Sequence, residues 1–330
     1  MKREVLVIIT TLSLGLGGLG ASACAASSRD TAFDEDAGGD AAPPDPGSSG
    51  GLGTTDGGAE TGAVVGTPLL YAHTDTTLFK VDPDTMGAMT AVGDFDCIGT
   101  GLAAKSMTDL AVSKDGKLYG VSEGAAFPLT LQGSTVHCEA TWPLPTKKFY
   151  GLTFAPENTL GAQEVLIGAD GLGGLYQIDE TSGAPTQVGT LGKDTKTNSD
   201  WLLSGDIVFL ANKGNPVGFA TVRTATGSTS DTLIEVDVKA IKPGTQSVLK
   251  RVRGPVVRGS WCTDPASPQS FSSMYGIVAY KDIVYGFSRA GDIVEIHNAD
   301  GTACLVSSDS TRKYAGAGIT TIAPVVAPVN

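Results

Sequence analysis

A short strand pattern recurs through most of this chain, and it limits the folds available more than any other feature. Leu78-Phe79-Lys80-Val81-Asp82 is matched by Leu175-Tyr176-Gln177-Ile178-Asp179, by Leu233-Ile234-Glu235-Val236-Asp237 and by Ile293-Val294-Glu295-Ile296-His297. Apolar positions alternate with variable ones, and β-branched and aromatic residues dominate, which is the chemistry of a half-buried strand. Turn formers follow the strands, as in Asp82-Pro83-Asp84 and Asp179-Glu180-Thr181-Ser182-Gly183. A further strand comes next in each case: Met89 to Phe95, Thr186 to Leu191, Ser247 to Val252 and Thr302 to Ser307.

A second pattern lies upstream of the first. It begins Asp109-Leu110-Ala111-Val112, Gly151-Leu152-Thr153-Phe154, Asp206-Ile207-Val208-Phe209 and Gly276-Ile277-Val278-Ala279, and a turn and another strand follow. Each full unit is therefore four short strands, and no helical period is evident in 67–330. The first unit lacks its opening strand and starts at Leu69-Leu70-Tyr71-Ala72-His73, while the chain's end supplies an unpaired one, Gly316 to Ala323. Pairing the last strand into the first unit closes a ring and leaves only short, protected edges. The expectation is an all-β fold, a β-propeller of five four-stranded blades over 67–330. Inner strands would start near Leu110, Leu152, Ile207, Ile277 and Ile319, with the longer spacings filled by loops at 192–204 and 253–273.

The segment Leu175 to Val188, a strand of type L-Y-x-I-D followed by an acidic Gly turn and another strand, resembles the quinoprotein-like and YVTN-type β-propeller repeats of secreted bacterial proteins. The resemblance covers most of 67–323. It implies a propeller, not a quinone, and the family is functionally diverse. No Trp-Asp dipeptide closes a blade, which sets the chain apart from typical WD40 repeats.

The first 66 residues read differently. Lys2 and Arg3 precede an uncharged apolar run from Val5 to Leu19, and Ala21-Ser22-Ala23 precedes Cys24, so 1–23 reads as a secretory signal. Small residues directly before a Cys resemble a bacterial lipobox, although Ala21 stands where that pattern prefers Leu. The resemblance implies lipidation of Cys24 and anchoring in the bacterial envelope at the outer membrane. An ordinary A-x-A cleavage, giving a secreted or periplasmic protein, is the alternative. Residues 24–66 hold only four large apolar side chains, Phe33, Leu52, Val64 and Val65, too few to offset the entropy of ordering, and read as a linker. As a Gly-rich coil it reaches about 35 Å.

The chain has 330 residues and a formal net charge of −12. Residues 25–66 set Arg29 against eight acids, so the linker carries more than half of that charge and the repeat region is only mildly acidic. No segment is strongly basic, which argues against a nucleic-acid partner and against charge-driven membrane binding.

Five cysteines are present, and lipidation of Cys24 leaves four that can pair. Sequence alone permits three connectivities. Cys97 and Cys138 flank the second unit as Cys262 and Cys304 flank the fifth, so repeat equivalence selects Cys97–Cys138 and Cys262–Cys304. Without a C-x-x-C or a tight Cys/His cluster, no metal site is expected, and no cofactor.

Candidate chemistry is sparse. Gly120-Val121-Ser122-Glu123-Gly124 fits the G-x-S-x-G elbow, but that device needs a following helix, and Tyr285-Gly286-Phe287-Ser288 repeats most of it as a blade strand. Asp109 and Asp206 open inner strands where other units have Gly, so they could converge in the central channel as a cation or acid–base pair. Alternatively, each carboxylate accepts hydrogen bonds from nearby backbone N–H groups. Trp142, Trp201 and Trp261 lie on connections between blades, and Tyr150 and Tyr275 just before inner strands. They are either an aromatic binding face for a sugar or peptide or packing between blades. The reading is a binding or scaffold module for a carbohydrate or an envelope protein. A glycan-acting enzyme using Asp109 and Asp206, or a structural envelope protein, stands as the alternative.

Overall fold

The repeated Asp that closes each strand pattern is the local device that turns the chain. In the computed structural model, which describes residues 67–99, 106–144, 146–225 and 228–325, these residues form side-chain-capped turns. Asp82 Oδ1 accepts the N–H of Asp84 at 2.9 Å, Asp179 Oδ1 accepts those of Thr181 and Ser182, and Asp237 Oδ1 accepts that of Lys239. A short carboxylate satisfies turn N–H groups that no strand can pair, which is why an Asp recurs at this place. His297 replaces it in the last unit and stacks instead on Trp261, with ring centroids 4.1 Å apart.

Between the turns the strands assemble into antiparallel sets of four. The first set is Tyr314–Ile319, Leu70–Thr74, Thr77–Val81 and Met89–Phe95, and the second is Met107–Val112, Leu118–Ser122, Ala125–Gln132 and Thr135–Cys138. The third runs Phe149–Ala155, Val165–Asp170, Gly174–Ile178 and Pro185–Thr190. Leu202–Leu210, Val217–Arg223, Thr232–Val236 and Leu249–Pro255 make the fourth. The last comprises Gly276–Tyr280, Ile283–Phe287, Asp292–His297 and Thr302–Ser308. Among the described residues the only helical turns are two 3-10 segments, Asn212–Gly214 and Val238–Ala240.

The opening strands of the sets lie against one another in a cycle: Met107–Val112 on Phe149–Ala155, then Leu202–Leu210, Gly276–Tyr280, Tyr314–Ile319 and back to Met107–Val112. This is the propeller arrangement, and it closes through the antiparallel register Leu70↔Ile319 to His73↔Gly316, as the sequence leads one to expect. Inner strands are buried along nearly their whole length, while the outermost, such as Leu249–Pro255, are largely exposed. Face-to-face packing of sheets explains the gradient. Phe127, Phe149, Phe209, Phe219 and Phe287 fill the space between them, and each truncation to Ala is worth about 3–5 kcal/mol.

Three short segments cover outer edges that a bare sheet would leave open. Thr135–Cys138 pairs in parallel with Met89–Phe95, joining the first two sets into one sheet. Gly244–Ser247 runs parallel to Pro185–Thr190, and Val257–Arg258 parallel to Thr302–Ser308. These pairings satisfy backbone groups that would otherwise template aggregation.

Both disulfides join the connection entering a set to that set's outermost strand. Cys97 is bonded to Cys138, with Cα atoms 5.8 Å apart, and Cys262 to Cys304, at 5.3 Å. Arg258 organises the second connection by donating to the carbonyls of Ser267 and Asp264 at 2.9 and 2.8 Å. Two disulfides point to an oxidising compartment. Among the described residues no helix is long and apolar enough to cross a membrane. The expected signal of 1–23, Cys24 and the linker of 24–66 lie outside the described residues.

Peptide mapping without reduction should return the two pairs intact. The double variant Cys97→Ser/Cys138→Ser should lose about 2–4 kcal/mol in denaturant unfolding, because it frees a long loop in the unfolded chain.

Candidate functional site

The ends at which the inner strands begin frame a cavity of about 490 Å³. Met107 and Thr108, Tyr150, Ser204 and Gly205, Tyr275 and Ala315 each come from a different inner strand or the residue before it. The turns between second and third strands complete the wall with Asp75, Glu123, Gly171 and Arg289, and Arg223 reaches in from the end of Val217–Arg223. The strands bring these residues together because the cycle of sheets points equivalent ends toward one mouth.

Tyr150 and Tyr275 are the expected aromatic residues found at this cavity, each 39% exposed. The three tryptophans do not line it. Trp142 is buried, its ring 6.0 Å from that of Tyr119. Trp201 is buried among Leu191, Leu203 and Val222, and its Nε1 has no hydrogen-bond partner. Trp261 stacks on His297 and donates its Nε1–H to Thr302 Oγ1 at 3.2 Å. The contacts described are those of packing between or within sheets.

Asp109 and Asp206 lie below the cavity floor, next in sequence to its residues Thr108 and Gly205, and are completely buried. Each ties its own inner strand to the next. Asp109 Oδ2 accepts the N–H of Leu152, and Asp206 Oδ2 accepts that of Ile277 at 2.9 Å. Burial, reinforced by the neighbouring Asp206, raises the Asp109 pKa well above the carboxylate range and keeps it protonated. Burial also pushes Asp206 up to about 8, against the hydrogen bonds it receives from Asp109 and from backbone N–H groups. The structure therefore presents this pair as a clasp between strands and not as groups open to a ligand.

His73 joins the pair from the closing seam. Its Nδ1 meets the carbonyl of Thr74 at 2.7 Å, which places the proton on Nδ1, and burial lowers its pKa to about 4. His73 Nε2 and Asp109 Oδ1 are both buried without a hydrogen-bond partner, and both lie 2.3 Å from where a Cβ on Gly316 would stand. Only Gly lets the closing strand pass between them.

Ser122 of the G-x-S-x-G segment is fully buried at a strand end. Its Oγ accepts the N–H of Ala125 at 3.2 Å, so it closes a hairpin turn and has no nucleophile's exposure. Among the described residues the one cluster with metal-ligand proximity, Asp96, Cys97 and Cys138, contains disulfide-bonded sulfurs.

Sequence reasoning missed the charged wall. Asp75 accepts both terminal nitrogens of Arg289 at 2.7 Å, and Glu123 pairs with Lys148 at 3.3 Å. The missed signal was positional: Asp75, Glu123, Gly171 and Arg289 occupy equivalent turns between second and third strands. Behind the wall, buried Asp231 holds Ser204 through its Oγ and takes the N–H of Met274 at 3.1 Å, fixing the segment that carries Tyr275.

No family profile and no curated protein matches the chain in sequence. Solved structures with some likeness include a Bacteroides fragilis protein provisionally assigned as a 6-phosphogluconolactonase, at 12% identity and TM-score 0.39, covering 78% of this chain and 99% of that one. An auxiliary nutrient binding protein of Bacteroides thetaiotaomicron gives 12% identity and TM-score 0.38 over 72% of this chain and 53% of its own. The Malassezia sympodialis allergen Mala s 1 gives 14% and 0.36, over 74% and 79%. Scores this low carry no argument, so the fold rests on the strand topology.

Gly316→Ala should destabilise the protein by about 1–3 kcal/mol, because its Cβ meets two buried polar atoms with nowhere to move. The raised Asp206 pKa means the folded state holds a proton that the unfolded chain releases near pH 4. Its contribution to stability is whole below that pH and is lost as pH rises toward about 8. Chemical denaturation between pH 4 and 8 should show that slope, and Asp206→Asn should reduce it, leaving the share that Asp109 contributes in the same way.

Proposed function

We propose that the protein is an exported binding module that holds a carbohydrate in the mouth of its propeller, tethered to the bacterial envelope through lipid on Cys24 and the linker of 24–66. The observation that carries this reading is the cavity wall. Two half-exposed tyrosine rings line the same space as Ser106 and Ser273 and the carboxylate residues Asp75 and Glu123. A sugar presents an apolar ring face for stacking and a circle of hydroxyls, each both donor and acceptor. A wall that mixes aromatic faces with short hydroxyls and carboxylates answers both demands. A flat protein partner would favour a broader apolar patch than this recessed cavity offers.

The two disulfides support an extracytoplasmic location, and the signal-like 1–23 supports export. The buried state of Asp109 and Asp206 weighs against the glycan-cleaving alternative, since neither oxygen pair can reach a scissile bond in the cavity.

Retention of the full chain on immobilised polysaccharides tests the reading. Tyr150→Ala and Tyr275→Ala should each weaken retention about tenfold, the worth of one aromatic contact of about 1–1.5 kcal/mol, without lowering the melting temperature. Trp201→Ala should instead lower the melting temperature sharply, because it empties a buried site. Retention on no glycan of a broad panel would overturn the proposal, and cleavage of a retained glycan would move it to the enzymatic alternative.

A further inference from the structure

The charges around the mouth are not equally occupied. Arg289 spends its guanidinium on both oxygens of Asp75, and Glu123 is paired with Lys148. Arg223 is different. It lies at the end of Val217–Arg223, lines the cavity and is exposed, and its guanidinium has no hydrogen bond or ion pair among the described residues. Asp231, on which it acts through space, is buried behind the wall with its oxygens already taken by Ser204 Oγ and the Met274 N–H.

The wall around Arg223 is built rather than loose. Ser273 also lines the cavity, with a φ of 59°, a left-handed conformation that costs a non-glycine residue about 1 kcal/mol or more. The conformation is held from both sides: Met274 is clamped by Asp231, and Arg289 N–H donates to the Ser273 carbonyl at 3.2 Å. Ser273 is thus held in place on the same cavity wall as the uncommitted guanidinium, with Tyr275 two residues further along the same segment and Ser204 fixed by its bond to Asp231.

We infer that the mouth selects acidic sugars, with Arg223 binding the carboxylate of a uronic acid while Tyr275 stacks on the ring. This rests on the carbohydrate reading above and deepens it. A planar guanidinium matches a carboxylate through two parallel charge-assisted N–H···O bonds, about twice as strong as those it makes to the uncharged oxygens of a neutral sugar. Asp75 and Glu123, each with its own cation, are left as acceptors for sugar hydroxyls and do not repel the bound anion as bare charges would. Asp231 fixes the tyrosine segment through the Met274 N–H and holds Ser204 beside it.

Calorimetric titration of the full chain separates the possibilities. The probes are trisaccharides of galacturonate, glucuronate and mannuronate, each compared with its neutral methyl ester, and a sulfated neutral trisaccharide of the same length. At low salt at least one uronate should bind about tenfold or more tightly than its ester, and added salt should shrink the difference. Arg223→Gln should abolish that preference, bringing acid and ester to the same affinity, and keep the wild-type melting temperature, since the side chain is exposed. Tyr275→Ala should weaken acid and ester by the same factor. Equal affinity for acid and ester, a preference that survives Arg223→Gln, or tighter binding of the sulfated sugar would overturn the inference while leaving the carbohydrate reading intact. Binding of none of these probes, nor of any neutral glycan, would overturn both.

Discussion

Everything in this protein depends on backbone hydrogen bonds between residues nearly at opposite ends of the repeat region. Leu70–Thr74 has no partner on its inner side until Tyr314–Ile319 arrives. Without that pairing the first sheet lacks its inner strand, and the buried faces of Met107–Val112 and Gly276–Tyr280 lose a neighbour each. Loop closure of this length costs only slightly more entropy than a short one, because the cost grows with the logarithm of loop length. The buried area gained by closing is large by comparison. The mouth exists for the same reason, since its walls come from every sheet in turn.

The seam explains why polar groups are buried where a propeller needs none. Asp109 and Asp206 each replace a glycine seen at equivalent strand starts, and each fastens its strand to the next through a backbone N–H. Neighbouring inner strands in a propeller are not hydrogen-bonded to one another as strands of one sheet are. A carboxyl between them supplies a directional contact where only packing would otherwise act. Keeping Asp109 protonated avoids the cost of two buried charges side by side.

Much of the architecture was legible in the sequence because strand alternation and turn chemistry are local. The Leu-x-x-Val-Asp repeats marked third strands, and the repeated Asp marked its own capped turn. The disulfide pairs followed from equivalent places in two units. The site was less legible because it depends on side-chain direction. Tyr150 and Tyr275 were found since they precede inner strands at matching positions. Trp142, Trp201 and Trp261 share connections near the same rims, yet their size favours burial, and sequence position alone does not say which way a ring turns. Asp75, Glu123 and Arg289 were passed over because single charges in hairpin turns look like ordinary surface. Only the ring brings them to one mouth. The parallel edge pairings of Gly244–Ser247 and Val257–Arg258 were also hidden, for they join segments of different units with no strand pattern of their own.

The place of the closing strand has a consequence for how the chain comes to be made. A ribosome delivers residue 70 long before residue 319. Each intermediate sheet can form as its four strands appear, but the first sheet waits with an open inner edge until the final segment emerges. Assembly thus ends with a single event that occupies the inner edge still open. A chain cut short before Tyr314 cannot make a smaller version of the same molecule, and its vacant edge marks it as unfinished.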